Sequence, residues 1–121
     1  MSSRILVVED QEDNRFILRD LLTSAGFEVI EAQNGLDGVA MAEAEKPDLI
    51  LMDIQLPLLD GYEATRRIKA STSLGPVPII AVTSYALSGD EEKAVAAGCD
   101  AYVTKPFSPR QLLATVRGFL S

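Results

Sequence analysis

Asp48-Leu49-Ile50-Leu51-Met52-Asp53-Ile54-Gln55-Leu56-Pro57 holds four consecutive apolar residues that end in one carboxylate, with a proline four positions later. Four apolar residues without period-2 alternation are too few for a helix and read as a strand buried on both faces, as in the middle of a parallel sheet. Asp53 then stands where that strand leaves the sheet. In open α/β sheets the carboxyl ends of the strands are where ligands bind. Other apolar runs deliver polar groups to the same relative point. Ile5-Leu6-Val7-Val8 ends in Glu9-Asp10, Ile79-Ile80-Ala81-Val82 in Thr83-Ser84, and Ala101-Tyr102-Val103 in Thr104-Lys105-Pro106. Each hand-over alone is common, as a helix-dipole acid, a turn hydroxyl or a solvated charge. Four together, with complementary charges, point to one site.

Between these strands the chain carries helix signals. Phe16, Ile17, Leu18, Leu21, Leu22 and Ala25 have helical spacing over about 12–25, and Gly26 suits a left-handed stop. Phe27-Glu28-Val29-Ile30-Glu31-Ala32 reads as a strand, and its two acids suggest a sheet edge, where one side reaches water. Asn34 reads as the N-cap of a helix over about 36–45, with Asp37 in its first turn. Asp60-Gly61-Tyr62-Glu63 and Ser88-Gly89-Asp90-Glu91 have capping-box form and open helices to about Ala70 and Ala97. Ser108-Pro109-Arg110-Gln111 supplies a cap, a proline at the first helical position and a glutamine three on, leading a last helix through Leu112, Leu113, Val116 and Leu120. Five strands alternating with five helices predict a doubly wound α/β sandwich. With the polar second strand at an edge, the expected order is the flavodoxin-like 2-1-3-4-5, whose switch point between strands one and three would gather Glu9, Asp10 and Asp53.

The 121 residues suit one domain with one core, at 47% hydrophobic content. A net charge of −7 argues against nucleic acid or anionic membrane as direct partner. No apolar run is long enough to span a bilayer and no secretory signal is indicated, so a cytoplasmic protein is expected. With no histidine and a single cysteine, Cys99, the chain offers no zinc site, His-based triad or internal disulfide. Cys99, beside Gly98, reads as a small packing residue.

Three carboxylates at one edge repel one another, and magnesium would resolve the conflict: it prefers oxygen ligands and uses one or two carboxylates plus phosphate oxygens. Glu9, Asp10 and Asp53 with a divalent cation and the Lys105 ammonium are formally neutral. A carboxylate can act as a covalent nucleophile towards phosphorus. Asp53, single and central, is the best placed, with Lys105 and the Thr83 hydroxyl available to phosphoryl oxygens.

At this point the chain resembles the receiver domain of two-component response regulators over essentially its whole length, 1–121. The resemblance rests on Glu9-Asp10, on Asp53 followed by Pro57 and Asp60-Gly61, on Thr83-Ser84, and on Lys105-Pro106-Phe107. It implies that Asp53 accepts a phosphoryl group from a histidine of a sensor kinase or phosphotransfer protein. Small donors such as acetyl phosphate often serve receivers too. It also implies magnesium held by Asp10, Asp53 and the Gln55 backbone carbonyl, with Glu9 assisting through water, and a cis Lys105-Pro106 bond. A switch through Thr83 and Tyr102 would remodel the face made by the fourth helix, fifth strand and fifth helix for a downstream protein target. A monomer or a phosphorylation-dependent dimer would suit such a role. Further likeness is to the single-domain cell-cycle regulators of some bacteria and the receivers of hybrid kinases. Bulky Tyr85, two residues beyond Thr83, is expected to slow hydrolysis of the phosphoryl group. A phosphatase of the haloacid dehalogenase type would want an aspartate where Gln55 stands. A docking module that is never phosphorylated usually lacks an acid, the acceptor or the lysine.

Overall fold

The computed structural model describes residues 3–83 and 90–120. In chain order they form β1 (Arg4–Val8), α1 (Glu12–Ser24), β2 (Glu28–Ala32), α2 (Gly35–Glu45), β3 (Leu49–Asp53), α3 (Gly61–Ala70), β4 (Ile79–Thr83), α4 (Asp90–Ala97), β5 (Ala101–Thr104) and α5 (Pro109–Leu120). The strands pair in parallel in the order β2-β1-β3-β4-β5. The fold is the flavodoxin-type sandwich, with the expected order and the expected edge position for the acid-bearing strand β2.

Strand pleating sorts the apolar runs onto two faces. Ile5, Val7, Leu49, Leu51, Ile80 and Val82 pack with Leu18 and Leu22 of α1 and Leu112 and Val116 of α5. Leu6, Val8, Ile50, Met52 and Ile79 point the other way, onto Ala42 of α2 and Ala64 and Ile68 of α3. All five residues of β3 are buried, as a central strand covered on both faces requires.

Caps set the helix starts. The Asn34 side chain accepts from the Asp37 amide at 2.8 Å, and Asp60 accepts from the Glu63 amide at 3.0 Å. Ser108 accepts weakly from the Gln111 amide at 3.4 Å. Gly26 has φ +96° after α1, as expected of a left-handed stop. Helix α2 ends instead on Lys46 at φ +48°, with no glycine to announce it. The Ser88-Gly89 start of the capping box before α4, and Tyr85, lie outside the described residues.

The α1 pattern is wider in sequence than in space. Phe16 and Ile17 fit the helical spacing, yet they are 57% and 54% exposed. Only Leu18 and Leu22 of this helix are fully covered, because α1 turns the neighbouring positions outward near its start.

Candidate functional site

Parallel strands put β1, β3, β4 and β5 ends on one edge, and the register aligns them. Val8 is opposite Met52, Asp53 opposite Val82, and Thr83 opposite Thr104. The residue after each pairing therefore emerges at one place. Glu9, Asp10 and Asp53 each bring a carboxylate oxygen within 4.8 Å of the others. Lys105 Nζ sits 2.7 Å from Glu9 Oε1 and 3.5 Å from Asp53 Oδ2. Thr83 is buried at the end of β4, and its carbonyl accepts the Lys105 amide at 2.7 Å, which anchors the lysine's backbone to the neighbouring strand.

Burial divides the three acids. Glu9 is 1% exposed and Asp53 7%, whereas Asp10 is open to solvent. Burial pushes the Asp53 carboxyl up to about 7, and the Glu9 carboxylate beside it adds to the rise; Lys105 and the Gln55 amide, at 3.1 Å from Oδ1, pull the other way without prevailing. Burial works to raise Glu9 too, but hydrogen bonds from the protonated Asp53 and from Lys105 outweigh it and hold Glu9 below its ordinary value. One ammonium between two buried carboxylates leaves room for only one negative charge on the pair. This is a direct fit test for a cation: the donors are hard oxygens, close together, and short of positive charge. They suit a small divalent ion such as magnesium.

Glycines let the loops close on Asp53. A Cβ at Gly61 would lie 2.2 Å from the Asp53 carbonyl oxygen, and one at Gly35 would lie 1.8 Å from that of Leu59. Only a residue without a side chain allows α3 to start against the backbone of Asp53, where the Gly61 amide donates to the Ile54 carbonyl at 2.9 Å. Leu58, in the same loop, has φ +69° and is 76% exposed.

Several of the residues singled out in the sequence lie together. Glu9, Asp10, Asp53 and Lys105 meet directly, and the Gln55 amide touches Asp53. The Lys105-Pro106 bond is cis. Tyr102 is not in this group: it lies on β5 opposite Ala81, half-buried, against the small cluster of Ile54, Ala81 and Ala94 with Tyr62 and Cys99. Burial pushes the Cys99 thiol up, which fits a packing residue.

Sequence reading missed Arg15. Its Nη1 donates to the Glu9 carbonyl at 2.9 Å, and its Nε lies 3.5 Å from Glu31 Oε1. The available signal was an arginine in the opening turns of α1, where the helix dipole favours acids.

Among described residues no helix is long and apolar enough to cross a membrane. Residues 5–117 match the family described as response regulator receiver domain. The polar-differentiation response regulator DivK of Brucella anthropi is 42% identical over 120 residues, which cover 99% of this chain and 98% of the relative. DivK of Brucella ovis is matched at the same identity and coverage. Among solved structures, the receiver domain of the sensor histidine kinase PA1611 of Pseudomonas aeruginosa has a TM-score of 0.93 at 40% identity, over 99% of this chain and 98% of that one. That structure holds a magnesium ion coordinated in its active-site cleft. A CheY-like receiver protein of Methanospirillum hungatei has a TM-score of 0.91 at 34% identity, covering 99% of this chain and 94% of its own. Sheet order, acidic cluster and matched length agree: the chain belongs to the receiver domain family of response regulators, signalling phosphoacceptors whose phosphodonor is a histidine kinase.

Proposed function

We propose that residues 1–121 form one receiver domain in which Asp53 is the phosphoacceptor. The observation that carries this reading is the convergence of Glu9, Asp10 and Asp53 within 4.8 Å, with Lys105 against two of them. An Asp53 carboxylate oxygen attacks the phosphorus of a phosphohistidine. The new O–P bond forms as the N–P bond breaks, and the imidazole nitrogen keeps the electron pair. Asp10, Asp53 and the Gln55 carbonyl, with Glu9 assisting through water, would hold magnesium, whose positive charge would keep Asp53 ionised and the phosphoryl oxygens approachable. Lys105 leaves the buried carboxylates for a phosphoryl oxygen, and the Thr83 hydroxyl takes another. Positioned charges of this kind are the main source of rate in phosphoryl transfer.

The downstream output is a protein target docking on the face of α4, β5 and α5. Thr83 and Tyr102 are the switch: the hydroxyl moves to the phosphoryl group and the half-buried ring turns into the space it leaves. A new charge thereby biases a packing equilibrium, to the extent that the two states bind it differently. The kinase or phosphotransfer partner reaches Asp53 across the start of α1. There Ile17 stands exposed and lines, with Leu18, Pro106 and Phe107, a cleft of about 460 Å³.

Incubation with acetyl phosphate and magnesium, followed by intact-protein mass spectrometry, tests the assignment. One phosphoryl group is expected on the unmodified chain and none on Asp53→Asn. Labelling of Asp53→Asn, or labelling indifferent to chelation of magnesium, would refute it.

A further inference from the structure

The second strand carries an acid, Glu31, that the phosphoacceptor role leaves without a task. Glu31 is half-buried at the end of β2, next to Ala32, whose carbonyl accepts the Glu9 amide at 3.0 Å. One of its oxygens lies 3.5 Å from Arg15 Nε and the other 2.9 Å from Arg19 Nη1. Arg15, with its side chain 12% exposed, then reaches the Glu9 carbonyl through Nη1 at 2.9 Å. Arg19 is largely exposed, and its guanidinium lies 5.4 Å from the Phe16 ring.

The Glu9 carbonyl and the Asp10 amide are two sides of one peptide plane. Arg15 holds the carbonyl, and the Glu9 carboxylate accepts the Asp10 amide at 3.1 Å. This plane fixes the backbone bond from which Asp10 springs. Asp10 is the exposed member of the triad, and among the described residues no side chain holds its carboxylate. Its aim is therefore a property of the backbone, and the backbone is held at that plane by an arginine braced from β2.

We propose that Arg15, braced by Glu31, is a positioning residue of the divalent-cation site, fixing the Glu9–Asp10 peptide so that Asp10 presents its carboxylate to the metal. This rests on the magnesium site proposed above. Residues that orient metal ligands without touching the metal typically change affinity about 10- to 100-fold when removed. The sign of the effect separates positioning from simple charge. Coulomb's law alone says that removing a cation near a magnesium site tightens binding; loss of positioning weakens it.

Magnesium alone, titrated calorimetrically into the full chain, gives the readout. Arg15→Ala is expected to weaken magnesium about tenfold, Arg15→Lys to recover part of that loss, and Glu31→Gln to weaken binding about two- to threefold by freeing the arginine. Arg19→Ala, which removes an equal charge farther from the peptide, is expected to leave affinity unchanged or slightly tighter. Affinity in Arg15→Ala equal to or tighter than that of the unmodified chain, with its circular dichroism intact, would overturn the proposal. If Arg15→Ala does not fold, Arg15→Gln, which removes the same charge but keeps more of the side chain's length, decides in the same way: unchanged or tighter affinity rejects the positioning role. Failure of the unmodified chain to bind magnesium would instead reject the site itself, a separate result.

Discussion

The two edges of the sheet use the same residue types to opposite ends. At the edge where strands begin, Asp100 accepts the Ile79 amide at 2.8 Å and the Lys69 ammonium at 2.9 Å. Lys69 spends its remaining donors on the carbonyls of Gly75 and Val77, at 3.1 and 2.7 Å. Asp48 accepts the Arg4 amide at 2.7 Å. At the edge where strands end, Lys105 stands against two of three clustered carboxylates, and burial, with the Glu9 carboxylate adding to it, raises Asp53 to about 7. The first edge is closed by its own partners and serves stability. The second is left short of positive charge, and that shortfall is what a cation and a phosphoryl group can use.

Mutations should separate the two edges cleanly. The largest effect is expected from Lys105→Ala, which removes the only ammonium seen beside Asp53 among the described residues. Loss of one positioned charge costs about 10²–10³ in rate, so labelling by acetyl phosphate should slow by that order while the fold survives. Next comes Asp100→Ala at the opposite edge. It strands the Ile79 amide and removes the only carboxylate that Lys69 is seen to meet among the described residues, and urea unfolding should register a loss of about 2–3 kcal/mol, with magnesium affinity unchanged. A loss of magnesium binding in Asp100→Ala would show that the edges are not independent. The smallest effect belongs to the rim of the site. Ile17→Glu should slow phosphotransfer from a histidine-bearing protein about 3- to 10-fold, or roughly 1 kcal/mol, and leave labelling by acetyl phosphate alone. Equal slowing with both donors would mean that Ile17 acts on the chemistry and not on docking.

How much of this could be read in advance follows from the range over which each cause acts. The apolar runs at β1, β3 and β4 could be recognised because burial on both faces demands unbroken hydrophobicity, and the acids of β2 betrayed its edge position. The caps at Asn34 and Asp60 are local hydrogen bonds three residues apart, so they too stood in the sequence. The site was legible because each hand-over from apolar to polar marks a strand end, and parallel topology brings those ends together. What escaped depends on contacts distant in sequence or on backbone angles without a signature residue. Lys46 and Leu58 adopt positive φ without being glycine or asparagine. Arg15 finds Glu31 only once β2 lies beside β1. The division between a lowered Glu9 and a raised Asp53 requires their burial and the reach of Lys105, none of which spacing reveals. Phe16 and Ile17 matched the helical period but sit where α1 has nothing to cover.

The strain of charge at the edge where strands end can be measured directly as a pH dependence of stability. The folded Asp53 carboxyl lies at about 7, against an ordinary 3.8, so the folded state holds a proton that the unfolded state has released. Stability from this group is complete below about pH 4 and declines as pH rises to about 7. Glu9 runs the opposite way, its contribution present above its ordinary 4.5 and lost as pH falls below it, at and beneath the low end of that window. Thermal unfolding of the unmodified chain and of Asp53→Asn, each in chelator and in saturating magnesium, is therefore the decisive comparison. In chelator, Asp53→Asn should gain on the unmodified chain between about pH 4 and pH 7, by a few kcal/mol at most, or several degrees in midpoint. Magnesium should close that gap by stabilising the unmodified chain. A gap that does not change with pH, or that magnesium leaves in place, would contradict the account.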